Sequence, residues 1–218
     1  MKLILTGATG MIGEGMLLAA LDHPDITRIL MINRRASPLK HARLSELIVK
    51  DFTNLAAYSD QLTGYDGCLY CAGISSLGMD EKQYNHITFY TTIMFAKKLA
   101  SLNPELVFFY LSGVYADSSE NGKIMWARIK GKTENALNKL NFKAVYSFRP
   151  GFIIPMKAQR NVRLIYKALK LIYPQVFPNR TLTYHEIVAG LVRILANGYN
   201  KSILEIKDLK LLARHTVI

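Results

Sequence analysis

The segment Leu5-Thr6-Gly7-Ala8-Thr9-Gly10-Met11-Ile12-Gly13 constrains the fold more than any other stretch of the chain. Apolar residues 2–6 before it read as a strand. Residues 11–21 after it carry Ile12, Met16, Leu17 and Ala20 at helical spacing. Gly7 and Gly10 leave the turn's backbone bare of side chains, and Gly13 lets the helix lie close to the strand. The free N–H groups of such a helix start, with the positive end of the helix dipole, suit a pyrophosphate. A glycine triplet alone is a weak signal. Its place after a strand, before a helix and at the head of an alternating pattern favours dinucleotide binding by Gly7, Thr9, Gly10, Met11, Ile12 and Gly13 over a purely structural turn.

That alternation continues along the chain. Residues 28–32, 46–49, 66–71, 106–111 and 144–148 read as strands, and residues 55–62, 80–102 and 123–140 as helices. Asp80 stands as a cap at the start of the long helix, and Asn103-Pro104 stop it. Short strands separated by helices imply parallel pairing, so the expected fold class is α/β, a Rossmann-type doubly wound parallel sheet. After Pro155 the pattern becomes mainly helical: 157–173 ended by Pro174, 183–196 opened by a Thr183/Glu186 capping box, a short strand at 202–204 and a helix at 205–212. The expected organisation is a dinucleotide-binding domain over 1–155 and a substrate-side extension over 156–218 packed on it as one compact unit.

Composition narrows the class. The chain has 218 residues, half of them apolar and 20% charged, which fits a folded domain and excludes disorder. No apolar run is long enough to span a bilayer, and the N-terminus lacks the pattern of a signal peptide. Cys68 and Cys71 fall three apart in a strand and point to opposite faces, which argues against a disulfide or a shared metal. They read as buried thiols in a reducing cytosol, so a cytoplasmic protein without a metal is expected. The net charge of +12 admits nucleic acid, an anionic membrane surface or a phosphorylated ligand. The cations are scattered and no nucleic-acid module appears, so no nucleic-acid partner is expected, and the charge fits a small anionic substrate. Within 157–173, Lys157, Arg160, Arg163, Lys167 and Lys170 alternate with Val162, Leu164, Ile165, Leu169 and Ile172. The expected arrangement is an apolar face on the sheet domain and a solvated basic face. A pocket wall and a membrane-surface contact are the alternatives.

Twenty positions past Gly13 the second strand ends in Asn33-Arg34-Arg35. An NAD site places an acid near here to hold the ribose 2′-hydroxyl. This chain has two arginines instead, whose forked guanidinium matches a phosphate. One reading is selection of the 2′-phosphate of NADP by Arg34, with Arg35 or Lys40 in support and NAD as the alternative cofactor. The other is a solvated basic loop.

Taken together, these motifs resemble the extended and atypical short-chain dehydrogenase/reductase superfamily, the NAD(P)-dependent epimerase/dehydratase-like group, and within it the Tat-interacting oxidoreductase-like subgroup. The resemblance covers residues 1–155. It implies that Asp51 and Phe52, in Lys50-Asp51-Phe52, lie beside the adenine. Cys71, Ala72 and Gly73, in Tyr70-Cys71-Ala72-Gly73, would line the cofactor. Leu111-Ser112-Gly113-Val114-Tyr115 is similar to the family's active-site serine segment. Pro150, Gly151 and Ile153, in Arg149-Pro150-Gly151-Phe152-Ile153, would pass the nicotinamide.

The family's chemistry uses a Tyr, a Lys four residues later and a Ser. The four-residue spacing puts Tyr and Lys on one helical face. Here Ser112 matches the Ser, and Lys130 matches the Lys that also holds the cofactor ribose. Trp126 stands at the Tyr position. An indole donates a hydrogen bond but does not ionise near neutral pH, and the missing proton transfer is worth about 10²–10⁴ in rate. Tyr115 is the first substitute, although the family also carries a Tyr there beside an intact catalytic Tyr. Tyr84, His86 and His185 are weaker candidates, and Trp126 itself is either a stacking platform or a packed aromatic. Two functions follow: an NADP-dependent oxidoreductase or epimerase/dehydratase-like enzyme on a small carbonyl or hydroxyl substrate, or a catalytically reduced NADP-binding sensor or interaction module.

Overall fold

A computed structural model describes residues 1–214, the Lys167 side chain excepted. The chain runs β1 (Lys2–Thr6), α1 (Met11–Asp22), β2 (Arg28–Asn33), β3 (Leu44–Ile48), a 3₁₀ turn (Ala56–Leu62) and β4 (Gly67–Tyr70). It continues through α2 (Glu81–Asn85), a π turn (His86–Tyr90), α3 (Thr91–Leu102), β5 (Val107–Leu111), α4 (Met125–Leu137) and β6 (Ala144–Arg149). The remainder is β7 (Phe152–Ile154), α5 (Leu164–Val176), β8 (Thr181–Thr183), α6 (Tyr184–Asn197), β9 (Ile203–Glu205) and α7 (Ile206–Arg214).

Seven strands form one parallel sheet in the order β3-β2-β1-β4-β5-β6-β9. Side-chain alternation sends Leu3, Leu5, Leu69, Val107, Phe109 and Phe148 to a core under α1, α6 and α7. Ile4, Cys68, Tyr70, Phe108 and Tyr110 face the second core, under α3 and α4. This is a Rossmann-type doubly wound fold, as expected from the sequence. The chain leaves β1 towards β2 and β3, then returns to build β4, β5 and β6 on the other side. The crevice between the C-terminal ends of β1 and β4 is therefore the topological switch point, where open α/β sheets take ligands.

The C-terminal stretch contributes more strand than its sequence suggests. β9 extends the main sheet from β6 with the register Ser147↔Ile203, and β7 and β8 pair as a separate parallel ribbon. The capping box opens α6 as predicted: Thr183 Oγ1 accepts from the Glu186 N–H, and Glu186 accepts from the Thr183 N–H. Asp80 caps α2 through the Gln83 N–H.

The helix expected over 80–102 runs unbroken from α2 through α3, with a π-wound stretch at His86–Tyr90. The expectations for α5 are corrected. The helix expected over 157–173 begins only at Leu164 and runs past Pro174 to Val176. Its first third is held irregular by tertiary bonds. Glu14 accepts the backbone N–H groups of Arg160 and Asn161, and the Gln159 amide donates to the Met11 carbonyl at 2.6 Å. Pro174 lies in the last turn, where its missing N–H costs one hydrogen bond. The expected burial of α5's apolar face is corrected too, since Leu164, Ile165 and Ile172 are exposed. The helix docks by its aromatics instead: Phe152 stacks on Tyr166 and contacts Tyr173.

Candidate cofactor cleft and active-site cluster

The turn after β1 is built by close approach. Gly7 sits at φ +73°, and a Cβ there would meet the Cys71 backbone at 2.6 Å. A Cβ on Gly13 would meet the Gly7 carbonyl at 2.1 Å, so α1 lies against the end of β1. Gly10 donates to the Gly7 carbonyl at 2.9 Å and precedes α1 with no side-chain cap. The first N–H groups of α1 are thus offered without a competing side chain.

A cleft of about 760 Å³ opens here. Of the residues expected to bind a cofactor, it gathers Gly7, Thr9, Gly10, Arg34, Arg35, Asp51, Phe52, Cys71, Ala72 and Gly73. Arg34 and Arg35 are exposed on its lip, and among the described residues neither side chain forms an ion pair. The acid nearest in sequence register, Glu46 on β3, is occupied by the Asn33 amide at 3.0 Å and the Ser37 N–H at 2.8 Å. Lys40 is exposed outside the cleft lining. Asp51 accepts from Thr53 Oγ1 at 2.7 Å and from its N–H at 2.8 Å, which holds the carboxyl below its ordinary pKa. Burial pushes the Cys71 thiol up to about 12, so it stays neutral.

Other expected cofactor residues fall elsewhere. Ile153 is a core residue of β7, because alternation on that short strand turns it inward. Ile12 packs on the same core. The Met11 carbonyl is taken by Gln159 and Tyr184. Gly151 lines a second cavity, described below, and Pro150, half-buried, lines neither. The cleft also holds residues that sequence reasoning did not single out as cofactor contacts: Ile87 and Thr91 around the π turn, and Asn161 from the strap tied to Glu14. Asn161 reaches the cleft from 148 positions past Gly13 by a tertiary bond that leaves no local pattern. His86, a weak acid/base candidate, is exposed on the cleft wall and stacks on Tyr90.

The active-site positions converge at the C-terminal end of β5. Lys130 Nζ donates to the Leu111 carbonyl at 2.8 Å and lies 4.9 Å from the Tyr110 ring centroid. Desolvation pulls its pKa down to about 8 against the pull of Glu134 and Cys71. Ser112 follows directly. Its Oγ is buried without a hydrogen-bond partner among the described residues, and its N–H donates to the Phe148 carbonyl at 2.8 Å. Trp126 lies one turn before Lys130 on α4, with its ring 3.3 Å from where a Gly113 Cβ would stand. The indole thus covers the backbone next to Ser112. Beneath, Glu134 and Arg149 form a buried two-point ion pair at 3.0 and 2.5 Å, so Arg149 ties α4 to β6.

Tyr115 is 73% exposed and lines the second cavity, of about 520 Å³, with Gly151, Phe152, Tyr173, Arg180, Glu205 and Lys207. Tyr84 is buried, and His185 pairs with Asp22 at 3.1 Å on the surface. Neither lines a cavity described here. Among the described residues no His, Cys, Asp or Glu cluster could hold a metal, and no helix is long and apolar enough to cross a membrane.

Comparison with known proteins follows the same geometry. A model of the NAD dependent epimerase/dehydratase family matches residues 3–135, which contain the glycine turn, both arginines, Ser112, Trp126 and Lys130. "Leucinostatins biosynthesis cluster protein T" of Purpureocillium lilacinum is 34% identical over 119 residues, 51% of this chain and 42% of that protein. "Protein fmp52, mitochondrial" of Emericella nidulans is 28% identical over 156 residues, 68% of this chain and 65% of that protein. The chain therefore spans less than two thirds of either relative's length. The solved UDP-glucuronic acid 4-epimerase of Bacillus cereus, in complex with NAD, superposes with a TM-score of 0.63 at 15% identity over 94% of this chain and 76% of that one. One expectation is overturned here. The fmp52 relatives, from Emericella and three Aspergillus species, are named mitochondrial, which contradicts a cytoplasmic assignment from composition and cysteine usage.

Proposed function

Because the chain belongs to the NAD dependent epimerase/dehydratase family, we propose that it binds NADP at the β1–β4 switch point and acts as an oxidoreductase or epimerase/dehydratase-like enzyme on a small carbonyl or hydroxyl substrate. The observation that carries the reading is that the glycine turn and two guanidiniums without ion-pair partners among the described residues share one cleft. The residues present fit the cofactor. The uncapped start of α1 and Gly7, Thr9 and Gly10 suit the pyrophosphate. Arg34, supported by Arg35, suits the 2′-phosphate, which a carboxylate at the same place would repel. Asp51 and Phe52 suit the adenine side, and Cys71, Ala72 and Gly73 the floor. NAD, named with the Bacillus cereus structure, is the competing cofactor.

When bound, the cofactor supplies hydride exchange. The chain's own residues do the rest. Ser112 Oγ, buried and unpartnered, gains a hydrogen bond by orienting a substrate oxygen. Lys130 spends one of its three N–H donors on Leu111, which leaves two for a ribose. Residues 156–218 form the substrate side: Tyr173, Arg180 and Lys207 join Tyr115 and Phe152 around the 520 Å³ cavity. Its aromatic walls and cations, offset in part by Glu205, suit an anionic small molecule. The name of the Bacillus cereus enzyme carries an anionic substrate as well. Tyr115 is the proton donor in this reading, since it lines the cavity.

The indole packed against Gly113 favours a second reading, an NADP-binding sensor with reduced catalysis. NADPH oxidation against a panel of carbonyl compounds separates the two. The enzyme reading expects turnover in wild type and its loss in Tyr115→Phe with NADP affinity unchanged. A silent wild type, with turnover appearing in Trp126→Tyr at about 10²–10⁴ above background, overturns it in favour of the sensor.

A further inference from the structure

We propose that α5 is a peripheral docking element for an anionic lipid bilayer, lying in the plane of the interface. The observation is an outward apolar face that is exposed among the described residues. Leu164 is 81% exposed, Leu171 and Ile172 each 65% and Ile165 63%, with Val176 and Phe177 also exposed. On the helical period Leu164, Ile165, Ala168, Leu171, Ile172 and Val176 cover an arc of about 140°, which also holds Gln175, while Phe177, past the helix end, contacts Tyr173. The arc lies opposite Tyr166 and Tyr173, the residues that anchor the helix to Phe152. The helix is thus fastened by one face and presents its more apolar face to solvent over about 20 Å of length. A soluble surface helix has the reverse arrangement.

Charge selects the occupant. From Lys157 to Arg180 the chain carries Lys157, Arg160, Arg163, Lys167, Lys170 and Arg180 and no Asp or Glu. Residues 156–218 hold eleven basic and three acidic residues, so they supply +8 of the net +12. Lys170, exposed, falls about 40° from Tyr166, on the polar side of α5 opposite the apolar arc, which is where an interfacial amphipathic helix carries its cations. Each cation near an anionic surface adds attraction that fades within a Debye length. A second copy of the chain is the poorer occupant. Pairing α5 with itself across a two-fold axis would bring these cations together with no acid to meet them. Nucleic acid would use the cations and leave the apolar arc in water.

Flotation with phosphatidylcholine vesicles, with and without phosphatidylglycerol, tests the proposal. Wild type is expected to float with the anionic vesicles only and to be released as salt is raised. Ile165→Gln/Ile172→Gln is expected to lower the bound fraction at least about tenfold. Arg163→Glu/Lys170→Glu is expected to abolish the preference for anionic lipid. Both pairs are exposed, and unchanged melting curves verify that each variant folds. Failure of wild type to bind anionic vesicles overturns the proposal. So does undiminished binding by the Ile165→Gln/Ile172→Gln variant, or a dimer in sedimentation that this variant breaks.

Discussion

Lys130 carries the largest burden of any single residue. Its amine is desolvated beside Leu111 and Tyr110, which lowers its pKa from 10.5 to about 8. Between those values the unfolded chain holds a proton that the folded chain has released. Stability contributed at this site therefore rises with pH across that window and is constant below it. The stability of wild type relative to Lys130→Met, from urea unfolding, is expected to climb from about pH 8 to about pH 10.5; a level difference would show that the amine is not desolvated. Several of the residues that matter were legible in the sequence for a local reason. Gly7, Gly10 and Arg34 sit at strand ends, so spacing points to them, and Ser112 and Lys130 are legible through the family resemblance. Ile153 was misplaced because a three-residue strand turned it into the core. Asn161 was unreadable because a Glu14 carboxylate from a distant helix puts it in the cleft.

At the level of elements, α4 is held by a charge pair. Glu134 is 1% exposed and meets Arg149 of β6 at two points, with Ser118 accepting a third bond. Removing one partner leaves a buried charge, at a cost of about 3–5 kcal/mol. Glu134→Ala is expected to lose that much in urea unfolding, and Glu134→Leu/Arg149→Met to recover most of it. No recovery in the double variant, or a loss below about 1 kcal/mol in Glu134→Ala, would contradict a buried pair. The same scale explains which elements the sequence revealed. Strands buried on both faces read as apolar runs, and the caps of α2 and α6 read as Asp80 and Thr183/Glu186. The π turn at His86–Tyr90 has no such signature. It inserts into an otherwise continuous helical period and turns His86 and Ile87 towards the cleft, as such turns often do at functional sites. The late start of α5 is likewise a tertiary decision, made by Glu14 and Met11.

In the whole molecule, charge and topology divide the labour. The sheet order places the glycine turn and the Cys71-Ala72-Gly73 segment on either side of one switch point. The C-terminal stretch closes the sheet with β9, lines half of the second cavity and supplies +8 of the net charge of +12. Parallel pairing and double winding followed from the alternation of short strands and helices. The joining of β9 to β6 did not, because three residues carry too little pattern to fix a partner. The central proposal is a dinucleotide site in which Arg34 selects NADP. Titration of NADP and NAD against wild type and Arg34→Asp tests it most directly. The account predicts that wild type binds NADP about 10- to 100-fold more tightly than NAD, as charge-assisted bonds to one phosphate allow, and that Arg34→Asp erases the preference. Equal affinity of wild type for the two cofactors would contradict it.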